Sequence, residues 1–454
     1  MEKGVTPFYD GAVQSASCIG RLPTELLQHS LNLSVAEIRQ GHEPWHVYAR
    51  IAELRLVCTR WMAAIDSYPS LWTLLTNRLS PLLVSVVLQK SGTLPLDIDL
   101  SCMAHSETSP PLHYLNTAPR LAGRWRSLNI RWFLEDREDE GLQNFLHTPA
   151  PQLKALTIDT FSGVPSRINL FDNVAPNLDS ITIRHAMPNW SSFVMRGLKR
   201  LLVATVMAKT RDFENIVQVL AASPNMRELQ IRGWLPKRSD LLEKPRVAPK
   251  PVALDFLQSL TLRVVPSSWA NVLLEVIRLP RHCSLDILLE IPLTQGPISE
   301  PLKHLRARIV GSPLMKVVLD VRERFLSIGL RCEGTDEVGE ASVEFRNPTA
   351  TAFHPSDALQ LWQRSLAEIS QEVQTSGVTV HITMSTGVFR NPDSFDVNHF
   401  LESALKLVDE HLPSVYKASI AGPNIQQIFE YMTSQTFPNL SDLEVLEADS
   451  ISWE

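Results

Sequence analysis

One phrase, repeated along the chain, limits the fold more than any other feature. Ala150-Pro151-Gln152-Leu153-Lys154-Ala155-Leu156-Thr157-Ile158 returns in near-identical form as Ala175-Pro176-Asn177-Leu178-Asp179-Ser180-Ile181-Thr182-Ile183. Further copies begin at Ser223-Pro224-Asn225-Met226 and Phe437-Pro438-Asn439-Leu440. A weaker copy covers Trp125–Ile130, and two without the proline start at Leu198 and Leu257. The common template is Pro-x-Leu-x-x-Leu-x-apolar. Its last two apolar positions lie two residues apart, so on a strand they face the same side of a sheet. The proline closes whatever helix or loop comes before. Helical patterns such as Phe213–Ala222 and Ser268–Ile277 fill the space between copies. Such a unit cannot bury its strand and helix alone, but stacked units share one continuous core. The expected fold class is therefore α/β, an irregular solenoid over residues 79–454.

The spacing is similar to that of leucine-rich repeats. Pro151 to Pro176 is one interval of about 25 residues, and Pro176 to Pro224 about two. The Asn/Cys ladder position of the standard repeat is not clearly kept. The Pro- and Lys-rich stretch Lys237–Pro251 interrupts the rhythm and reads as a loop. Residues 311–454 are more divergent. Strands are expected at Met315–Val321, Phe325–Leu330, Val378–Met384 and Val415–Ala421, and helices at Ser356–Glu372, Val397–Leu412 and Asn424–Thr433.

Before the repeats the rhythm differs. Residues 1–20 are small and polar and read as a loose segment, followed by a helical unit over 21–78. Leu22-Pro23-Thr24-Glu25-Leu26-Leu27 is a helix start, with Pro23 near the first helical position and Glu25 facing the positive end of the dipole. Asn32–Tyr48 reads as an irregular insertion. Ile51–Ile65 lacks Gly and Pro and places Ile51, Leu54, Cys58, Trp61 and Ile65 on one helical face. Tyr68-Pro69 ends it, and Ser70–Leu75 starts another short helix. Pro23, Leu26, Leu27, Leu56, Val57, Trp61 and Trp72 cannot all face the interior of so small a bundle. Some of them are then left for another surface.

Three sub-motifs, Leu22-Pro23-x-Glu25-Leu26-Leu27, Leu56-Val57-Cys58-x-Arg60-Trp61 and Pro69-Ser70-Leu71-Trp72, together resemble an F-box of the form common in fungal proteins. His29-Ser30 stands where that family usually has an Ile-Phe-like pair, and Asn32–Tyr48 lengthens the first gap. The resemblance implies docking on a Skp-type adaptor of a cullin-based ubiquitin ligase through Leu22, Pro23, Leu26, Leu27, Leu56, Val57, Trp61 and Trp72. The repeat region would hold a protein substrate. The chain itself would be no enzyme and would need no cofactor or metal. Two alternatives stand beside this: a repeat scaffold whose F-box is vestigial, and an enzyme hidden in residues 311–454.

The remaining features exclude more than they assign. With 43 basic and 49 acidic residues the net charge is -6, which argues against a surface built for nucleic acid. No apolar run is long enough for a spanning helix, so no membrane partner is expected. Five widely spaced cysteines without Cys-x-x-Cys suggest a cytoplasmic or nuclear setting. The chain holds no serine-hydrolase, zincin, Walker or dinucleotide motif. His42 and His46 have the spacing of a metal pair, but Pro44 between them favours a solvated loop. His282-Cys283, Asp97-x-Asp99 and the acidic run Glu135–Glu140 are read as strand and loop polarity. Trp132, Trp190, Trp234 and Trp269 fall at or just beyond expected strand ends, where they are candidates for substrate contact or for packing at the repeat edge.

Overall fold

The computed structural model describes residues 22–40, 46–101, 118–132, 144–160, 167–190, 193–204, 210–233 and 251–290, and beyond these 315–322, 325–332, 341–348, 359–360, 362–363, 366–367, 378–384, 397–411, 415–422 and 442–447. Two compact units divide the chain: Met1–Arg131 with Ala150–Leu153, and Trp132–Pro149 with Lys154–Glu454. The joint expected near residue 78 falls inside the first of them.

In the first unit, α1 spans Thr24–Gln40. Leu27, Leu31 and Val35 form its buried stripe at four-residue intervals. The helix therefore runs through Asn32–Arg39, where an irregular insertion is expected from the sequence. Leu31 and Val35 extend the stripe that Leu27 begins, and no Gly or Pro intervenes before Gly41.

The long helix expected over Ile51–Ile65 is divided in two. The first half, α2, covers Val47–Arg55 and buries Val47, Tyr48, Ile51 and Leu54. The second, α3, covers Thr59–Asp66 after an extended Cys58 at φ -165° and ψ 167°. Val57, Cys58 and Thr59 are weak helix formers. A break among them lets both halves pack on α1.

Pro69–Trp72 is a 3-10 turn that buries Leu71 and Trp72, and strand β1, Leu74–Thr76, follows directly. Helix α4, Pro81–Ser91, opens with the Ser80 hydroxyl accepting from the Leu83 N–H at 3.3 Å. It ends at Gly92, whose φ of 56° suits glycine. Strands β2, Leu96–Ser101, and β3, Trp125–Trp132, continue from β1 in parallel, with Thr76, Asp99 and Asn129 in register.

The second unit carries the repeats as parallel strands β4 (Ala155–Thr160), β5 (Ser180–Arg184), β6 (Arg200–Ala204), β7 (Glu228–Arg232), β8 (Ser259–Pro266) and β9 (Ser284–Glu290). Leu156, Ile181, Leu201, Leu229, Leu260 and Leu285 share one register row, and all are buried. Ile158, Ile183, Val203, Ile231, Leu262 and Ile287 form a second buried row. These are the last two apolar positions of the template.

A second regularity joins the copies through the backbone. The carbonyl after the template's first apolar residue accepts two N–H groups from the next copy. Lys154 accepts from Asp179 and Ser180, Asp179 from Lys199 and Arg200, Lys199 from Arg227 and Glu228, and Arg227 from Gln258 and Ser259, at 2.7–3.1 Å. Copies with and without the proline thus occupy equivalent places. Helices α5, Thr210–Ala221, and α6, Ser267–Val276, supply buried Ile216, Leu220, Trp269 and Leu273, and α6 lies against β8 and β9.

Beyond β9 the pattern changes. Strand β11 (Phe325–Cys332) runs antiparallel between β10 (Met315–Arg322) and β12 (Ala341–Pro348), and β12 is parallel to β9. Strand β12 has no counterpart in the expectations above. Strands β13 (Val378–Met384), β14 (Val415–Gly422) and β15 (Asp442–Glu447) extend from β10 in parallel, and α7 covers Val397–His411. Of the expected helix Ser356–Glu372 the described residues are helical, while Asn424–Thr433 lies outside the described residues.

Candidate docking surface

Three helix ends of the first unit meet at one corner. The Arg60 guanidinium, near the start of α3, donates to the Leu22 carbonyl just before α1. The Gln28 side-chain amide donates to the Ala64 carbonyl at 3.4 Å, so α1 and α3 run side by side. Between α2 and α3 the chain turns with its N–H groups satisfied: Leu56 donates to Glu53 at 3.0 Å and Val57 to Leu54 at 3.3 Å. The backbone is paired while both side chains point outward.

Exposed apolar side chains are carried by α1, by α3 and by the turn between α2 and α3. Leu26 is 53% exposed, Leu56 86%, Val57 58% and Met62 40%. Pro23 is exposed, while Leu22 and Trp61 are half-buried. Leu27 and Trp72, grouped with these residues at the start, are interior at 2% and 4%. Helical geometry explains the first case, since successive residues point about 100° apart and only one of Leu26 and Leu27 can face the core. Neither interior side chain can reach a partner's surface. Both support the corner from beneath.

Trp72 is held on several sides. Its indole N–H donates to the Ile65 carbonyl at 3.1 Å, its ring stacks on Tyr48 with centroids 5.9 Å apart, and the Lys90 ammonium lies 4.9 Å above it. Asp66 ties three helices together, meeting Lys90 of α4 at 2.8 Å and Arg55 of α2 at 3.1 Å. Burial pushes its carboxyl up, but the hydrogen bonds and charges of Lys90 and Arg55 outweigh that and hold it below the ordinary carboxylate range. Arg39 donates to the Ser70 and Leu71 carbonyls, each at 2.9 Å, and to the Thr73 hydroxyl at 3.4 Å. These bonds clamp the end of α1 onto the 3-10 turn. Burial lowers the Arg39 pKa from its ordinary value, and an arginine remains charged regardless. The corner is therefore a rigid support with an apolar outer surface.

The four tryptophans, candidates for substrate contact or for packing at the repeat edge, have different surroundings. Trp190 and Trp269 are buried within their own unit, so a partner resting on the surface does not touch them. They pack the repeats because indole is the largest apolar filler available there. Trp132 closes β3, and Trp234 lies outside the described residues. The stretches Glu135–Glu140 and 237–250 also lie outside the described residues, as does His42.

One set of polar residues escapes sequence reasoning. The position directly after the template's last apolar residue is Asp159, Arg184, Ala204, Arg232 and Arg263 in β4 to β8, and the register places all five in one row. Stacking the repeated phrases would have found it. Asp159 meets the His185 Nδ1 at 3.0 Å and Arg184 at 3.6 Å. Among the described residues no group of three or more His, Cys, Asp or Glu could hold a metal ion, and no helix is long and apolar enough to cross a membrane. No protein-family model matches the sequence, and no curated protein matches it.

Proposed function

We propose that this chain is an adaptor of the F-box type, docking on a Skp-type component of a cullin ubiquitin ligase through its first unit and holding a protein target on its repeat sheet. One observation carries the reading: Leu26, Leu56, Val57 and Met62 stay exposed around helices that are otherwise tightly bonded. Large apolar side chains gathered on a rigid support mark an interaction surface. Leu26, Leu56 and Val57 fall within the sub-motifs Leu22–Leu27 and Leu56–Trp61 that resemble an F-box, and Met62 directly follows the second.

The magnitudes are consistent with docking, provided that more than these four residues take part. Complete burial of each contributes roughly 1.5–3 kcal/mol. Association costs about 4–15 kcal/mol before any net affinity appears. Half-buried Leu22 and Trp61 and exposed Pro23 would have to join the contact. In this reading the chain makes and breaks no bond. It raises the local concentration of a target lysine beside a charged conjugating enzyme. A cytoplasmic or nuclear address goes with that role.

Affinity purification from cells tests the proposal. The wild type should retain a Skp-type adaptor, and a Leu26→Asp, Leu56→Asp double variant should lose it while keeping its circular dichroism spectrum. Recovery of both proteins free of any such adaptor would leave a repeat scaffold without a ligase.

A further inference from the structure

The repeat sheet has a second face whose chemistry follows from the register. The template's apolar rows are buried on one side. The alternate positions form three rows on the other. Ala155, Ser180, Arg200, Glu228, Ser259 and Ser284 are in register, as are Thr157, Thr182, Leu202, Gln230, Thr261 and Asp286. The third row holds Asp159, Arg184, Ala204, Arg232, Arg263 and Leu288. The face is thus dominated by hydroxyl, amide and charged groups, with three arginines along its third row.

The arginines remain accessible. The Arg184 side chain is 48% exposed and that of Arg263 49%. Arg263 meets Asp286 at 2.8 Å, and Arg184 meets Asp159 at 3.6 Å. Arg232 is exposed and makes no ion pair among the described residues. The row's own charges sum to an excess of cations in a chain whose net charge is -6.

We infer that this face binds an extended polypeptide segment rich in Asp and Glu, laid across the strands with its carboxylates on Arg184, Arg232 and Arg263. Adjacent strands lie about 4.8 Å apart, so Arg184 and Arg232, two strands from each other, are about 10 Å apart at their backbones. A polyproline-II chain advances about 3.1 Å per residue with three residues per turn, so acidic residues three apart share one side at about 9.3 Å, one facing Arg184 and the next the adjacent Arg232 and Arg263. Planar guanidinium groups donate paired hydrogen bonds to carboxylates. Thr182 and Gln230 lie two residues earlier on their strands, are half-buried, and offer partners for the ligand's backbone. Carboxylates suit the row better than phosphates, because Asp159 and Asp286 sit beside the same arginines and repel a dianion more than a monoanion. The inference rests on the reading that the sheet holds the target, and it names the class of target. It does not depend on adaptor docking.

Fluorescence anisotropy of the full-length chain tests it, with a labelled peptide carrying Glu at every third position. Saturable binding that weakens with salt is expected. The global charge of the chain opposes an acidic ligand, so such binding reports a local site. Arg232→Glu should weaken it by about tenfold or more. Arg281→Glu, the same charge change at an exposed turn before β9, should leave it within about twofold. Equal effects of the two substitutions, equal binding of the Lys counterpart peptide, or tighter binding of a phosphoserine counterpart would each overturn the assignment. Leu56→Asp should retain peptide binding. Retention of the adaptor by that variant and retention of the peptide by Arg232→Glu are separate failures, so each reading stands or falls alone.

Discussion

Leu27→Ala and Leu56→Ala should produce opposite phenotypes, although both remove the same atoms. Leu27 is 2% exposed and Leu56 86%. Truncating Leu27 leaves a cavity among α1, α2 and α3, which typically costs about 3 kcal/mol. At about 3 °C per kcal/mol for a unit of this size, the melting temperature should fall by about 10 °C. Truncating Leu56 removes side-chain atoms that already face water, so stability should change by less than about 0.5 kcal/mol. Binding should show the reverse. If a Skp-type adaptor covers Leu56, losing about three carbons at about 0.8 kcal/mol each weakens the complex by about 2.4 kcal/mol. That corresponds to about fiftyfold in Kd. Leu27→Ala, measured below its melting transition, should keep its affinity within a few-fold. Thermal melts and calorimetric titration with the purified adaptor read both quantities. The reasoning fails if Leu56→Ala melts as early as Leu27→Ala, or if it binds the adaptor with unchanged affinity.

Two further substitutions probe the clamp at the far end of α1 and the buried carboxyl of β2. Arg39→Ala removes two 2.9 Å bonds to the Ser70 and Leu71 carbonyls, and urea denaturation should show a loss of about 3 kcal/mol, with Arg39→Lys in between. Burial raises the Asp99 carboxyl above its ordinary value, against the bond from Asn129 and the charges of Arg131 and Arg78. A raised folded pKa favours the protonated carboxyl, so its stabilising effect is complete below the unfolded value and is lost as pH rises through the folded one. Asp99→Asn should therefore melt higher than wild type at pH 7, with the gap closing as pH falls through that window. A gap that widens in acid would contradict the assigned direction.

Some of this molecule was legible before any coordinates. Both rows of the repeat core are written into Pro-x-Leu-x-x-Leu-x-apolar, because a strand's alternation is a local property of the chain. The helix start at Pro23 and Glu25 and the end of the second helical stretch at Tyr68-Pro69 follow from local backbone and dipole rules in the same way. The break at Cys58 was not legible, because Ile51 to Ile65 satisfies a single helix and only packing on α1 favours two. The strands at Met315–Val321 and Phe325–Leu330 are read from the sequence, but β12 and the antiparallel direction of β11 are not, since strand direction depends on pairing between segments.

Residue type alone decided least about the candidate surfaces. Leu26 and Leu27 are the same amino acid one position apart, yet one faces water and the other the core. Trp72, expected at the adaptor contact, is filler, and of the two readings open for Trp190 and Trp269 burial leaves packing, because burial depends on which distant side chains close over a site. The arginine row exists only through register, which carries Arg184, Arg232 and Arg263 from separate copies onto one line. The sequence by itself determined the period and the polarity of each strand. Tertiary structure decided which apolar residues were left outside and which charges became neighbours, because both depend on contacts between segments far apart along the chain.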